Sequence, residues 1–462
     1  MSGKYPHGVI GTSYHANKHT ELAALSAAVI DYAQERIRLA PPLDKPLTEA
    51  ELIESVGQTI TPGGLGGAEA MRIFAEDLAP TCLSTDHPRY LSFIPCAPSD
   101  AASLFDVVVG ASSIYGGSWL EGAGAVYAEN LALRWLADLA GMPATAGGVF
   151  TPGGTVGNLS ALVAARHTAR RTARDGVRPN ILVATEGAHS SIKSAADVMD
   201  AEFAGVAVDS AGRLTGERLR PVLLERGPEN VFAVVATAGT TNFGIIDDLA
   251  SVAEVCREFG IWFHVDGAYG GAGLAAPSIR DRYAGIEHAD SFIVDPHKWL
   301  FAPYDACALL YRRPELARAA HRQTASYLDV ANQAEWNPAD MAIHLSRRPR
   351  GLSLWFSLAT HGTDRYRQAV EQCLTTARIV AEDIRSRPTL RLLSGPELSV
   401  LLFDRPGWTA EDYAAWSHEQ AISGQVLCIP TRWRGEPVLR MIFVNPGTDP
   451  VVVGKVLDTL AS

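Results

Sequence analysis

The chain has 462 residues, 47% of them hydrophobic and 20% charged, with a formal net charge of -11. That is the composition of a soluble globular protein with room for roughly two or three domains and a large buried core. The acidic balance argues against nucleic acid or an anionic membrane as partner, and no apolar run approaches the length that crosses a bilayer. The six cysteines (Cys82, Cys96, Cys256, Cys307, Cys373, Cys428) include no CxxC pair and no metal-like spacing with histidine. They read as reduced thiols in a cytoplasmic protein without a metal site. The first twenty residues lack the apolar core of a signal peptide.

Residues 20–40 have helical periodicity, with Leu22, Leu25, Ala28, Val29 and Tyr32 on one face. A second helix opens at the Thr-x-x-Glu box of "PLTEAELIESVG", and "AEAMRIFAEDLAP" gives a third. A segment of this size cannot hide all those faces alone, so residues 1–95 are expected to pack on a partner subunit, giving a homodimer, or on the main body. "HPRYLSFIPCA" then carries Tyr90, Phe93 and Ile94 on an irregular stretch, and Trp119 comes next on a loop before a long helix. These four side chains read as one wall of a substrate pocket or as core at a domain junction.

From Gly148 an apolar strand end runs into Gly153-Gly154-Thr155 and then into a helix. Glycines let backbone N–H groups approach an anion, the helix N-terminus adds positive potential, and the Thr155 hydroxyl adds a donor. No Gly-Lys-Ser/Thr comes after it, so this phosphate cradle is not a Walker loop. The strand-turn-helix form recurs with His189 at the turn of "ATEGAHSS", with Thr241 in "ATAGTTNFGIIDDL" and with Asp266 in "HVDGAYGG". It recurs once more in "SFIVDPHKWL", where the run Phe292-Ile293-Val294 breaks at Asp295-Pro296 and presents His297 and Lys298. Strands alternating with helices predict a mostly parallel sheet covered on both faces. In such a sheet Thr155, His189, Thr241, Asp266 and Lys298 collect at the carboxyl edge, where α/β proteins bind ligands. The polar stretch from His321 to Gly351 reads as a mobile surface loop. From residue 356 the pattern becomes that of a smaller α+β domain, leaving 96–355 as the large domain.

A phosphate cradle, an aspartate and a lysine at one sheet edge are the parts that hold pyridoxal 5'-phosphate: Lys298 for the aldehyde, Asp266 for the pyridine nitrogen, His189 for the ring face.

The motifs "HPRYLSFIPCA", "TPGGTVGNLSAL", "AHSS", "ATAGTTNFGIIDDL", "HVDGAYGG", "DPHKWL", "SRRPRGLSLW" and "LRMIFVNPGT" carry the argument further. Together they resemble the group II pyridoxal-phosphate-dependent amino-acid decarboxylases, the family of aromatic-amino-acid, histidine and glutamate decarboxylases. The resemblance implies an aspartate-aminotransferase-type fold, a homodimer with sites at the subunit interface, and an amino-acid substrate. It also implies that Lys298 binds the cofactor covalently, that Thr241 contacts the ring-hydroxyl side, and that Gly154, Thr155 and His297 serve the phosphate. Arg440 matches an arginine that the glutamate-decarboxylase branch uses for a substrate carboxylate; by its residue type alone it is as readily a structural ion-pair partner. One departure stands out. Family decarboxylases carry a loop tyrosine before "RR", and this chain has none between Asp329 and Arg347. Loss of that tyrosine is associated in the family with aldehyde products. A fold kept for binding without turnover is the remaining alternative, and the intact Lys298, Asp266 and His189 set disfavours it.

Overall fold

The strands of the middle of the chain are β1 (Gly147–Thr151), β2 (Ile181–Thr185), β3 (Glu202–Val206), β4 (Val231–Thr237), β5 (Trp262–Asp266), β6 (Ser291–Val294) and β7 (Cys307–Tyr311). In the computed structural model, which describes residues 19–39, 43, 46–174, 176–323 and 336–461, they form one seven-stranded sheet in the order β1-β7-β6-β5-β4-β2-β3. β7 is antiparallel to both of its neighbours, so every other strand runs in one direction. The mostly parallel sheet expected from the alternation is therefore what the chain forms. β3 carries little strand signal, because it is an edge strand with an exposed start and a glycine, Gly205, inside it.

Both faces of the sheet are buried. Val149, Leu182, Phe232, Val235, Trp262 and Leu309 pack on one side with Ala161, Leu162 and Ala165 of helix Gly153–Thr172. Phe263, Val265, Phe292 and Val294 pack on the other with Leu133 and Leu136 of helix Trp119–Leu139 and Val252 of helix Leu249–Phe259. Within β5 the alternation is strict, Trp262 to one core and Phe263 and Val265 to the other, as a period of two requires. Gly157 lets its helix lie directly on the sheet. A Cβ there would sit 2.8 Å from Cys307 Sγ and 3.1 Å from Ile293 Cγ2.

The C-terminal part adds an antiparallel sheet of β8 (Arg391–Ser394), β9 (Val400–Asp404), β10 (Pro430–Trp433) and β11 (Glu436–Ile442), in the order β10-β11-β9-β8. Helices Thr363–Ser386, Ala410–Ile422 and Pro450–Ala461 close its core. Helix Leu352–His361 runs straight through residue 356. The end of the N-terminal segment also belongs to this part of the molecule: the Leu91 N–H donates to the Leu427 carbonyl at 2.9 Å, and the Ile442 N–H donates to that of Leu91 at 3.0 Å.

The stretch from His321 to Gly351 departs from the surface loop expected of it. Residues 324–335 of it lie outside the described residues. Residues 337–342, by contrast, are buried. Met341 and Ala342 join the core beside helix Pro314–His321, and the Tyr311 hydroxyl donates to the Met341 carbonyl at 3.1 Å. The polar letters misled because a polar side chain can be buried where it finds a partner, as Asn337 does when its Oδ1 accepts the Trp119 N–H at 3.0 Å.

The far end of this stretch is pinned by a buried ion pair. Arg347 spans the Glu129 carboxylate with two bonds of 2.8 and 2.7 Å, and Glu129 also accepts the Gly351 N–H at 2.8 Å. Replacing only Arg347 by Met strands a buried carboxylate and should cost about 3–5 kcal/mol, whereas Arg347→Met with Glu129→Leu should cost much less. Guanidinium denaturation of the two variants checks this; equal losses would show that the pair acts through packing alone.

Candidate active site

The strand ends meet where the sequence places its chemistry. β6 stops at Val294, the chain breaks at Asp295-Pro296, and the short helix Pro296–Trp299 points Lys298 back to the sheet edge. Lys298 Nζ lies 3.0 Å from Asp295 Oδ2, and Asp295 is almost wholly buried. Burial pulls the Lys298 ammonium down, but the Asp295 carboxylate, with Asp266 behind it, outweighs burial and leaves the pKa raised. Trp299 turns away and is buried against Tyr269, with ring centroids 5.4 Å apart.

Asp266 ends β5 and is buried. Its Oδ1 accepts the Ala268 N–H at 3.1 Å and its Oδ2 the Asn158 side-chain N–H at 2.9 Å. His189 stands exposed at the start of helix Ser190–Val198, with Nδ1 accepting the Ser191 N–H at 3.2 Å. The first turn of helix Gly153–Thr172 has no side-chain cap, so its N–H groups remain free for an anion. Gly153 has φ +78°, Thr155 is exposed, and a Cβ on Gly154 would lie 3.1 Å from Asp295 Oδ2. The His297 ring borders this turn. Its Nδ1 is 2.8 Å from the Ala306 carbonyl, and its Nε2 is 3.9 Å from Asp295 Oδ2.

The other anticipated residues are placed less uniformly. Thr241 sits half-buried at the turn after β4, where its carbonyl accepts Arg440 Nη2 at 2.6 Å; Arg440 Nε donates to the Asn242 carbonyl at 3.2 Å. Burial pulls the Arg440 guanidinium down to about 10, and among the described residues no carboxylate pairs with it. The ion pair considered for it is therefore absent there. Of the aromatic wall, Phe93 and Trp119 are exposed. Tyr90 packs against Leu43 and Leu427, and Ile94 lies in the main core.

Four residues near this edge escaped the motif reading: Asp295, Asn158, His264 and Tyr304. In the sequence Asp295 looks like a strand breaker, and Asn158 and His264 look like interior letters of a helix and a strand. Tyr304 lies beyond the lysine motif, half-exposed, with its ring centroid 4.9 Å from that of His297. Burial pushes its phenol up to about 12.

An uncapped helix start, a glycine turn without side-chain bulk, a buried carboxylate and a lysine at one edge fit pyridoxal phosphate. Thr155 and the turn would take its phosphate and Asp266 its pyridine nitrogen. The family model described as the pyridoxal-dependent decarboxylase conserved domain matches residues 71–405, and the chain belongs to that family. It is a pyridoxal-phosphate-dependent enzyme of amino-acid decarboxylation. It is 31% identical over 412 residues to L-2,4-diaminobutyrate decarboxylase of Rhizobium meliloti (strain 1021), covering 86% of this chain and 82% of that one. To aromatic-L-amino-acid decarboxylase of Bacillus atrophaeus it is 26% identical over 370 residues, 78% and 76% of the two chains. Its fold is similar to that of Oryza sativa TDC crystallised with PLP and tryptamine, with TM-score 0.89 at 22% identity over 96% of this chain and 98% of that one.

The Asp295–Lys298 pair makes a prediction about the apoprotein. A lysine is unreactive while protonated, and Asp295 is what keeps Lys298 protonated against burial. With Asp295→Asn, burial should dominate, the Lys298 pKa should fall, and its acylation at neutral pH should speed up several-fold. Mass spectrometry of Lys298 after acetic anhydride pulses across a pH series reads this directly. An unchanged rate profile would mean the pair does not control the lysine.

Proposed function

We propose that this chain acts as a cytoplasmic homodimer that removes the α-carboxylate of an L-amino acid as CO2 and releases the amine, with an aromatic side chain favoured. The observation that carries the reading is the meeting of Lys298, Asp266, His189 and the Gly153-Gly154-Thr155 turn at one sheet edge. When bound, pyridoxal phosphate supplies an electron sink for the electron pair left as CO2 departs. Lys298 is the covalent attachment point, and Asp266 keeps the pyridine nitrogen charged. His189 covers the ring face, and Thr241 lies on the ring-hydroxyl side. Gly154, Thr155 and His297 hold the phosphate. Phe93 and Trp119, backed by Tyr90 and Ile94, form the side-chain wall. Arg440 braces the Thr241 turn with two of its nitrogens, which leaves Nη1 for a substrate carboxylate.

Assembly is supported by apolar surface that none of the described residues covers. Leu104, Val107 and Val108 on helix Asp100–Ser112 are exposed, as are Leu120, Tyr127 and Leu131 on the next helix and Val29 and Ile30 on helix His19–Arg38. A second copy of the chain would bury them, and sedimentation should give twice the monomer mass at assay concentration. An active monomer would contradict the assignment. None of the described helices is long and apolar enough to cross a membrane.

Lys298→Ala should abolish borohydride-stable attachment of the cofactor, and Asp266→Asn should cut turnover by about 100-fold or more, the scale on which losing one preorganised electrostatic partner acts. Trapping at another lysine, or near-normal turnover in the aspartate variant, would defeat the assignments. A second reading, oxidative conversion to an aldehyde, is favoured by the absence of tyrosine between Asp329 and Arg347. A panel of aromatic, acidic and diamino acids, assayed in air and without oxygen for CO2, amine, aldehyde and peroxide, separates the two. Stoichiometric amine in both atmospheres supports the decarboxylase, and oxygen-dependent aldehyde supports the alternative.

A further inference from the structure

Beneath the cofactor edge lies a continuous line of buried polar side chains. Trp262, His264 and Asp266 alternate along β5 and so share the face covered by helix Gly153–Thr172, while Phe263 and Val265 face the opposite core. The parallel register sets Ser291 of β6 beside His264. Trp262 Nε1 donates to Ser291 Oγ at 2.9 Å, and Ser291 Oγ is 2.8 Å from His264 Nδ1. His264 Nε2 is 2.9 Å from Asn158 Oδ1, and Asn158 Nδ2 donates at 2.9 Å both to Asp266 Oδ2 and to Ser191 Oγ. Ser191 Oγ in turn is 2.9 Å from His189 Nδ1.

Hydrogen-bond chemistry gives this line a single direction. An indole N–H only donates and a carboxylate only accepts, so the two ends are fixed. The Asn158 amide must turn its NH2 to Asp266 and its oxygen to His264, which makes His264 Nε2 a donor. A neutral imidazole that donates from Nε2 accepts at Nδ1, so the Ser291 hydroxyl points there and leaves its oxygen for the Trp262 N–H. On the branch, the Ser191 backbone N–H donates to His189 Nδ1 and makes that nitrogen an acceptor, so the Ser191 hydroxyl, which receives the Asn158 N–H, can only donate toward it. The His189 proton is thereby held on Nε2, at the outer edge of the ring.

We infer that Asn158 is a positioning residue, the junction through which one buried relay orients the Asp266 carboxylate, fixes the tautomer of His264 and holds the Ser191 hydroxyl against the His189 ring. The inference rests on the proposal that Asp266 and His189 face the cofactor ring. Asn158 reaches both because Gly157, beside it, seats the helix on the sheet. One amide serves two groups on different elements, so the electronic partner of the ring and its covering imidazole are set together.

The test begins with the apoprotein, where the cofactor reading plays no part. In protein labelled with 15N-histidine, long-range 1H–15N correlation should show His264 and His189 each protonated at Nε2 alone, with resonances assigned by His264→Gln and His189→Gln. A proton on Nδ1 of either ring in the wild type overturns the relay, whatever any variant does. Asn158→Leu keeps the branched shape and removes the junction. In it His264, without its Asn158 acceptor, should populate both tautomers, pyridoxal phosphate should bind roughly tenfold more weakly, on the scale seen when supporting partners of a bound group are lost, and the visible band of the loaded protein should shift. Ser191→Ala removes only the branch and should leave the His264 tautomer and that band in place. A folded Asn158→Leu protein with an unchanged His264 tautomer and an unchanged band overturns the junction. Failure of the cofactor proposal would show instead as no covalent attachment at Lys298, with the apoprotein tautomers as expected.

Discussion

A lysine ammonium pressed at 3.0 Å against a carboxylate that solvent barely reaches is the constraint around which the large domain is arranged. Burying both members of such a pair is expensive, and the interior tolerates it only where geometry is fixed and neighbouring polar groups are satisfied. The parallel sheet meets the first condition. It delivers Asp266 and the Lys298 turn from adjacent strands, β5 and β6, whose register is locked by two cores. The glycine turn meets another condition, since any side chain at Gly154 would be pushed onto Asp295. The absence of bulk there lets the uncapped N–H groups of the turn lie close to the carboxylate and the lysine. An anionic cofactor with a reactive aldehyde suits that set of groups.

Much of this frame is legible in the letters, because periodicity and turn chemistry act locally. The apolar runs ending in Thr151, Thr185, Thr237, Asp266 and Val294 each became a strand, and each strand end carries the group that its turn residues advertised. Lys298, Asp266, His189 and the cradle are legible for the same reason, since strand direction alone brings them to one edge. β3 is not legible, because an edge strand half open to water needs no strong apolar pattern. The stretch after His321 misleads in the opposite direction: its polar composition suggests solvent, yet Met341 and Ala342 are core.

The supporting groups are hidden for a different physical reason. Asn158 and His264 acquire their roles only when a helix face settles on a strand face, a contact 106 residues apart in the chain. No local rule marks an asparagine in a helix or a histidine in an apolar strand as part of a polar line. Burial holds His264 neutral, its pKa lowered to about 4, which is what allows it to pass a hydrogen bond rather than carry a charge. Tyr90 and Ile94 show the converse. A cluster of aromatic and apolar letters before a site reads equally as pocket wall and as core, and packing sends these two inward while Phe93 stays in solvent.

The C-terminal part of the chain is tied to the same edge by a cation rather than by apolar packing alone. Arg440 on β11 reaches the turn after β4 and gives two of its nitrogens to main-chain carbonyls, so a guanidinium is buried without an acid beside it among the described residues. Carbonyl dipoles compensate a buried charge less fully than a carboxylate does, and burial accordingly lowers its pKa to about 10. A carboxylate partner would have neutralised the arginine; with carbonyls instead, its charge is kept beside Thr241. The same bonds make the turn rigid, because moving Thr241 would strand the arginine in the interior. One residue therefore couples the placement of the smaller domain to the electrostatics of the larger one, and neither part of the chain builds the complete edge by itself.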